Sequence, residues 1–577
     1  MIIGTLGAII LFFLSPLVTL SCTDILVTPE ASEDGSAMIA YNADSGNLMG
    51  MLYHYPPTTG RGGEERWVYE WDTGKMLGTI LEVNQTYNVI GNTNQYGLCI
   101  GESTFGGVEI LSKQDGAVLD YGSLIYITLQ RSKTALEAIH TMVQLMDNYG
   151  YASEGESFSI ADRSGDVWIM EVIGRGTSYG RKGAVWVARR VPNGYVTAHA
   201  NQARIRTFPR DDSKNCLFAD DIVDVAIYYG LFSSESNPLD FSFSDVYCPV
   251  SFQTARLSEG RVWSAFGAIA DNSGEFRENF LDYASGGNLT HRMPLWVKPY
   301  KKLSLTGLME IMNSHYEGTE LDSSEDVGAG LYNVPYRPRP LEWKHEEESY
   351  HNERTIGVQQ TGWNFIAQIR PQMPSHLSAL LWFAVDDSST APRVPVYASS
   401  RRVSEAYYGS GPQDGSMQPL LEFNLKKAFW VQNMVSNLAY TRWSDMYPIV
   451  RSKIEAIHDA FIKSVIKVDK EAIYIYETKG VQESIEFVTK YSTRAGDSLH
   501  SDWFKFYGEL FVRFRDFFDI VPDHNDPGCG CEVRENGMAE PWTKRIVDET
   551  GDHYKIGGST QDPGDHKNVR GDAAAFF

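Results

Sequence analysis

Residues 22–44 read as a single β-hairpin, and no other stretch restricts the fold of this chain as tightly. Cys22-Thr23-Asp24-Ile25-Leu26-Val27 has strand character, Glu33-Asp34-Gly35-Ser36 supplies the turn, and Ala37 to Asp44 returns as the second strand. The antiparallel return carries Asp44 back towards Cys22. The same alternation recurs at Gly155 to Asp162, with Val167 to Val172 as its hairpin mate. Between these pairs, Tyr121 to Leu145 carries apolar residues at helical spacing. Strand pairs flanked by helices predict an α+β chain built in layers.

The hairpin starts where an almost wholly apolar segment, Ile2 to Ser21, stops. That segment is long enough to span a membrane and has no Lys or Arg ahead of it. Pro16, with the small residues Thr19 and Ser21 at the −3 and −1 positions, favours a cleaved signal peptide over residues 1–21. An uncleaved signal anchor is the rival reading, and it is the only membrane attachment the sequence offers. Cleavage before Cys22 would leave a thiol beside its own free amine. An α-amine titrates at about 7.7–8.0, so it can take the thiol proton and later return it to a leaving group. One residue then supplies both nucleophile and base.

Two later stretches end strands in polar side chains. Asn94-Gln95-Tyr96-Gly97-Leu98-Cys99-Ile100-Gly101 leads into Glu102-Ser103-Thr104, and Tyr195-Val196-Thr197-Ala198 leads into His199-Ala200-Asn201. A side-chain amide at Asn201 can donate to a developing oxyanion or cap the following turn. Other chemistries lack their motifs. His345-Glu346-Glu347-Glu348 is followed by Ser349, so there is no H-E-x-x-H zinc site, and Gly101 to Phe105 misses G-x-S-x-G at its last position. No phosphate-binding or dinucleotide fingerprint is present, and neither a metal nor an organic cofactor is called for. A net charge of −23 with no basic stripe excludes a nucleic-acid partner.

The N-terminal Cys-Thr, the D-G-S turn and the N-x-D at Asn42 to Asp44 resemble the start of an N-terminal-nucleophile hydrolase. In detail they resemble the C69 dipeptidase family, whose wider relatives include penicillin V acylase, bile salt hydrolase and the secernins. Asn94 to Thr104 is similar to that family's N-x-x-G-L-x-x-x-E-S-T segment. The likeness continues in order through Pro294 to Pro299, Lys302-Leu303-Ser304, His315 to Asp322, Arg354-Thr355-Ile356, Ala367 to Arg370, Leu381-Trp382-Phe383 and Pro395-Val396-Tyr397. It covers residues 22–410. One departure is Tyr41, which stands where the acylases carry Arg, so acylase specificity is disfavoured.

The resemblance implies an αββα N-terminal-nucleophile hydrolase sandwich over residues 22–415 and a dipeptidase acting on small peptides. It implies Cys22 as nucleophile, Asp44 orienting its amine, Asn201 serving the oxyanion and Thr104 as a second polar contact. Glu102 and Asp120 are candidate anchors for a substrate amine on charge grounds alone, Arg261 is a candidate for the family's later active-site Arg, and His199 is read as structural. Residues 416–520 are helical in pattern and are expected to extend the catalytic layers. Residues 521–577, rich in Pro, Gly, Asp and Asn, are expected to form a mobile tail. Two rivals stay open, a hydrolase of other linear amides such as N-acyl amino acids, and a membrane-anchored inactive binding module. A homo-oligomer is left open. Six cysteines are few for a disulfide scaffold. Cys216 can pair with Cys248, and Cys529-Gly530-Cys531 is read as too tight for an easy mutual bridge. Sequons at Asn84 and Asn288 fit a secreted or lysosomal glycoprotein.

Overall fold

The computed structural model describes residues 22–411 and 419–556. The leader expected over 1–21 and the end of the expected tail, 557–577, lie outside the described residues.

The N-terminal hairpin forms as its alternation predicts. Strand β1 (Thr23–Val27) pairs antiparallel with β2 (Ala37–Asp44) in a register that sets Thr23 opposite Asn42 and Val27 opposite Met38. Neither strand is an edge. β1 also pairs with Val196–His199, and β2 with Thr361–Ile369. These four are the middle of a seven-stranded sheet that runs Trp296–Val297, Val196–His199, β1, β2, Thr361–Ile369, Ala379–Val385, Val394–Tyr397.

Both faces of that sheet are covered, so the alternation divides two buried environments rather than core from water. Ile25, Val27, Met38 and Ala40 pack with Val262, Trp263 and Phe266 of the helix Gly260–Ala270 and with Leu308 and Met312 of the helix Leu305–Met312. Leu26, Ile39 and Tyr41 point the other way, into a core shared with Ile100, Phe158 and Ile160 of a second sheet. Complete burial of each such aliphatic side chain is worth about 1.5–3 kcal/mol. The second sheet has nine strands, with Cys99–Gly106 between Gly155–Ala161 and Thr93–Asn94. Its far face carries the helix Ala135–Tyr149 through Ala138, Ile139 and Met142.

Further helices follow at Ala428–Thr441, Trp443–Lys479 and Val481–Phe514. They protect the edge strand Val394–Tyr397, whose outward backbone donors would otherwise invite another strand. Tyr397 N–H donates to Ser492 Oγ at 3.2 Å, and the preceding Arg393 N–H donates to His458 Nε2 at 2.9 Å. Among the described residues no helix is long and apolar enough to cross a membrane.

The chain divides into two compact units at Phe511/Val512. In the second, the region read as a mobile tail carries regular structure, a hairpin of Asp519–Pro522 with Cys531–Arg534 and a helix over Glu540–Thr550. Cys529 and Cys531 are joined by a disulfide, contrary to the expectation from their spacing, with Gly530 between them at φ 65°. Glycine adopts that left-handed conformation without steric penalty. Cys216 and Cys248, expected as a pair, are both free and buried.

Candidate active site

Cys22 occupies the position just before β1 and is buried. Its Sγ lies 3.3 Å from the Tyr41 hydroxyl and 3.5 Å from Glu102 Oε1, and Tyr41 donates a short hydrogen bond to that same carboxylate oxygen. Burial, then the charges of Glu102 and Asp44, push the thiol well above its ordinary range; hydrogen bonds from Tyr41 and the Asp44 backbone oppose this. While Ser21 is attached, the Cys22 nitrogen is an amide with no basic lone pair. The sulfur is therefore held as a thiol.

Asp44 closes β2 and is fully buried. Arg354 Nη2 donates to its Oδ2 at 2.8 Å, and Thr361 Oγ1 donates to its Oδ1 at 2.7 Å. Burial lifts its carboxyl to about 6, with Arg354 and Thr361 pulling the other way. Asn201 follows the strand Val196–His199 with φ 56°, a left-handed conformation that Asn tolerates better than most residues. Its Nδ2 donates to the Thr104 carbonyl at 2.5 Å, and its Oδ1 accepts from Arg261 Nη2 at 2.8 Å.

Arg261 joins these parts. Its Nη1 donates to the Cys22 carbonyl and to Thr23 Oγ1, each at 2.8 Å, and its Nε donates to the Leu257 carbonyl at 2.7 Å. It stands two residues past a π-helical turn, Ala255–Glu259, the kind of helix irregularity that recurs at functional positions. Burial, followed by the nearby Arg354 charge, lowers its guanidinium to about 9.

Thr104 and Glu102 sit on the strand Cys99–Gly106. Thr104 Oγ1 donates to Glu156 Oε2 at 3.0 Å. Glu102 and Glu156 are neighbouring buried carboxyls: burial raises both, and the charge of Glu102 adds to the rise of Glu156. Asp120 caps the helix Tyr121–Arg131, accepting from Ser123 N–H at 2.9 Å and from Trp71 N–H at 2.6 Å. His199 lies between two serine hydroxyls, Ser103 at 2.6 Å and Ser159 at 2.7 Å, and burial lowers its ring to about 3.

A cleft of about 450 Å³ lies over this cluster, lined by Thr104, Glu156, Asn201, Arg261 and Arg354 among others. Cys22, Tyr41 and Glu102 line an adjoining cavity of about 10 Å³, and Tyr121 forms part of the wall of both. The fold thus brings Cys22, Asp44, Asn201 and Thr104 together; Glu102 lies under the sulfur, and Asp120 does not line the cleft. Arg354, Glu156 and Tyr41 had no assigned role in the sequence reading. Glu156 was recognisable as an acid inside a strand with no exposed face. Among the described residues no group of three or more His, Cys, Asp or Glu is placed to hold a metal ion.

The model of peptidase family C69 matches residues 48–456, most of the chain. The chain belongs to peptidase family C69. The matched span takes in Glu102, Thr104, Asn201, Arg261 and Arg354, and begins after Cys22 and Asp44. C69 membership implies peptide substrates. Among curated proteins, dipeptidase A of Lactobacillus helveticus is 23% identical over 451 residues, covering 73% of this chain and 82% of that one. A probable dipeptidase of Salmonella dublin is 23% identical over 397 residues (66% and 82%), and a dipeptidase of Bifidobacterium longum is 22% identical over 420 residues (66% and 71%).

Proposed function

We propose that this C69 peptidase is a cysteine-type dipeptidase of the N-terminal-nucleophile class, made active when cleavage after Ser21 frees the amine of Cys22. Two sheets packed face to face, with helices against their outer faces, support the αββα reading. The names of the relatives support the dipeptide substrate. The observation that carries the mechanism is the reach of Arg261, which ties the Cys22 carbonyl to the side chain of Asn201, a residue of the cleft wall.

In this mechanism the freed amine takes the Cys22 thiol proton through a water, and Sγ attacks the scissile carbonyl carbon. Asn201 Nδ2 donates to the resulting oxyanion. The tetrahedral species collapses, the C–N bond breaks, and the departing amine receives the proton held by the Cys22 ammonium. Water, deprotonated by the same amine, then hydrolyses the thioester and returns the thiol. Asp44, held by Arg354, keeps the amine oriented. Glu102 accepts from Tyr41 and from the thiol and so positions the sulfur.

The reading places the mature enzyme in the secretory lumen or outside the cell, with exposed Asn84 and Asn288 open to glycosylation. N-terminal sequencing of the purified protein, paired with dipeptide turnover by wild type and Cys22→Ala, tests it. Cys22 as first residue and loss of turnover in the variant are expected. A mature chain that begins at Met1, or an active Cys22→Ala, overturns it. Turnover confined to N-acyl amides would keep the nucleophile and replace the substrate.

A further inference from the structure

The charges in the cleft wall are sorted by sign. Arg261, Arg339 and Arg354 line it and lie near enough for the Arg354 charge to act on the other two, while Glu70 neighbours Asp72 and Glu154 neighbours Glu156 among the acids of the lining. Most of them are already engaged. Arg261 binds backbone carbonyls and Asn201, and Arg354 binds Asp44. Glu70 accepts from Thr73, Asp72 accepts from Tyr121 at 2.9 Å, and Glu156 accepts from Thr104. Two remain: among the described residues neither the Arg339 guanidinium nor the Glu154 carboxylate has a hydrogen bond or an ion pair. Each set therefore presents one uncommitted charge, and the two are opposite in sign.

We infer that Arg339 and Glu154 form a two-ended clamp for a zwitterion, Arg339 taking the α-carboxylate of a dipeptide and Glu154 its α-ammonium, with the scissile carbonyl held between them over Asn201. The inference rests on the dipeptidase reading and adds to it the residues that select for length. Both side chains are exposed in the cleft and so open to a ligand, and a planar guanidinium matches a carboxylate with two parallel hydrogen bonds. A third residue would displace one terminal charge by about 3.5 Å, so one terminus would lose its partner. Arg339 lies close enough to Arg354 for that charge to lower it, alongside burial, to about 10, and burial raises Glu154. The Arg339 guanidinium remains ionised at neutral pH.

The test uses the mature full chain and alanyl-alanine, leucyl-leucine and glycyl-phenylalanine, each as the free dipeptide, its C-terminal amide and its N-acetyl derivative. For Arg339→Met, kcat/KM on free dipeptides is expected to fall by about 100-fold, mostly through KM, while the amides change by less than about threefold. Arg339→Lys should recover part of the loss. Glu154→Gln should show the mirror pattern, losing free dipeptides and sparing N-acetyl derivatives. Equal losses on free acids and amides, or no loss on either, overturn the clamp while wild-type dipeptide turnover leaves the dipeptidase reading standing. Failure of wild type on every free dipeptide removes both.

Discussion

Arg354 and Asp44 stand 310 residues apart in the chain and meet in a buried ion pair, Nη2 to Oδ2 at 2.8 Å, behind Cys22. The sheet makes the meeting possible. β2 pairs with Thr361–Ile369 in a register that sets Asp44 opposite Thr361, and Arg354 lies in the connection just before that strand. Removing one partner of such a pair leaves an uncompensated buried charge and typically costs about 3–5 kcal/mol. Arg354→Met, which orphans the Asp44 carboxyl, and Asp44→Asn, which orphans the Arg354 guanidinium, should therefore each lower the unfolding midpoint in urea. Midpoints unchanged in both variants would mean that the pair is solvated.

The titration of Asp44 gives a pH dependence of definite sign. Its carboxyl is held at about 6 in the fold, above the ordinary 3.8, so the native state binds that proton more tightly than the unfolded chain does. The associated stability is complete below about pH 4 and is lost as the pH rises to about 6, a change of about 3 kcal/mol. The difference in unfolding free energy between wild type and Asp44→Asn should fall across that window and stay level above it. A difference that rises with pH would contradict the placement. Because the proposed mechanism needs the carboxylate, kcat/KM should also climb with pH through about 6. His199, neutral down to about pH 3, would not contribute to that limb.

Cys22 should react slowly with iodoacetamide while Ser21 is attached, since the sulfur is buried and its thiol is held protonated. After cleavage the rate should rise by at least about tenfold, measured by mass spectrometry on the Cys22 peptide. Equal rates in the two forms would argue that the amine does not act on the sulfur.

Arg261 should not tolerate its customary replacement. Lysine keeps the charge and cannot reproduce a fork that reaches the Cys22 carbonyl, Thr23 and Asn201 together. Arg261→Lys is expected to fold and to lose about 100-fold in kcat, with Asn201→Ala losing about 10²–10³-fold as an oxyanion donor would. Additive losses in the double variant would show that the two residues act independently, contrary to the contact between them.

Tyr41→Phe should destabilise the fold by about 1–3 kcal/mol, because it removes the hydroxyl that donates to a buried carboxylate. It should also alter the pH profile of kcat, which a merely packing role for the ring against Phe365 would leave unchanged.

The hairpin of residues 22–44 could be read directly, because its period and turn residues are local. Its partners could not: β1 lies beside Val196–His199 and β2 beside Thr361–Ile369, and such long-range pairing leaves no mark in local spacing. Glu102 shows the limit of reading charge alone. It was weighed as an anchor for a substrate amine and lies beneath the sulfur, whereas Glu154, in the loop just before the neighbouring strand, faces the cleft unpaired. Arg339 was passed over because Pro335-Tyr336-Arg337-Pro338-Arg339-Pro340 reads as a plain loop. Arg354 fell within a recognised block, but only the fold shows that its partner is Asp44.

The carbonyl of Cys22 is gripped by Arg261, and every described contact of that residue is made with a position later in the chain. Among the described residues, Tyr41, Glu102 and Arg261 supply the hydrogen bonds that seat Cys22. On the proposed maturation, severing the bond ahead of Cys22 would turn a spectator nitrogen into a base beside a sulfur that β2 and the strand Cys99–Gly106 already hold.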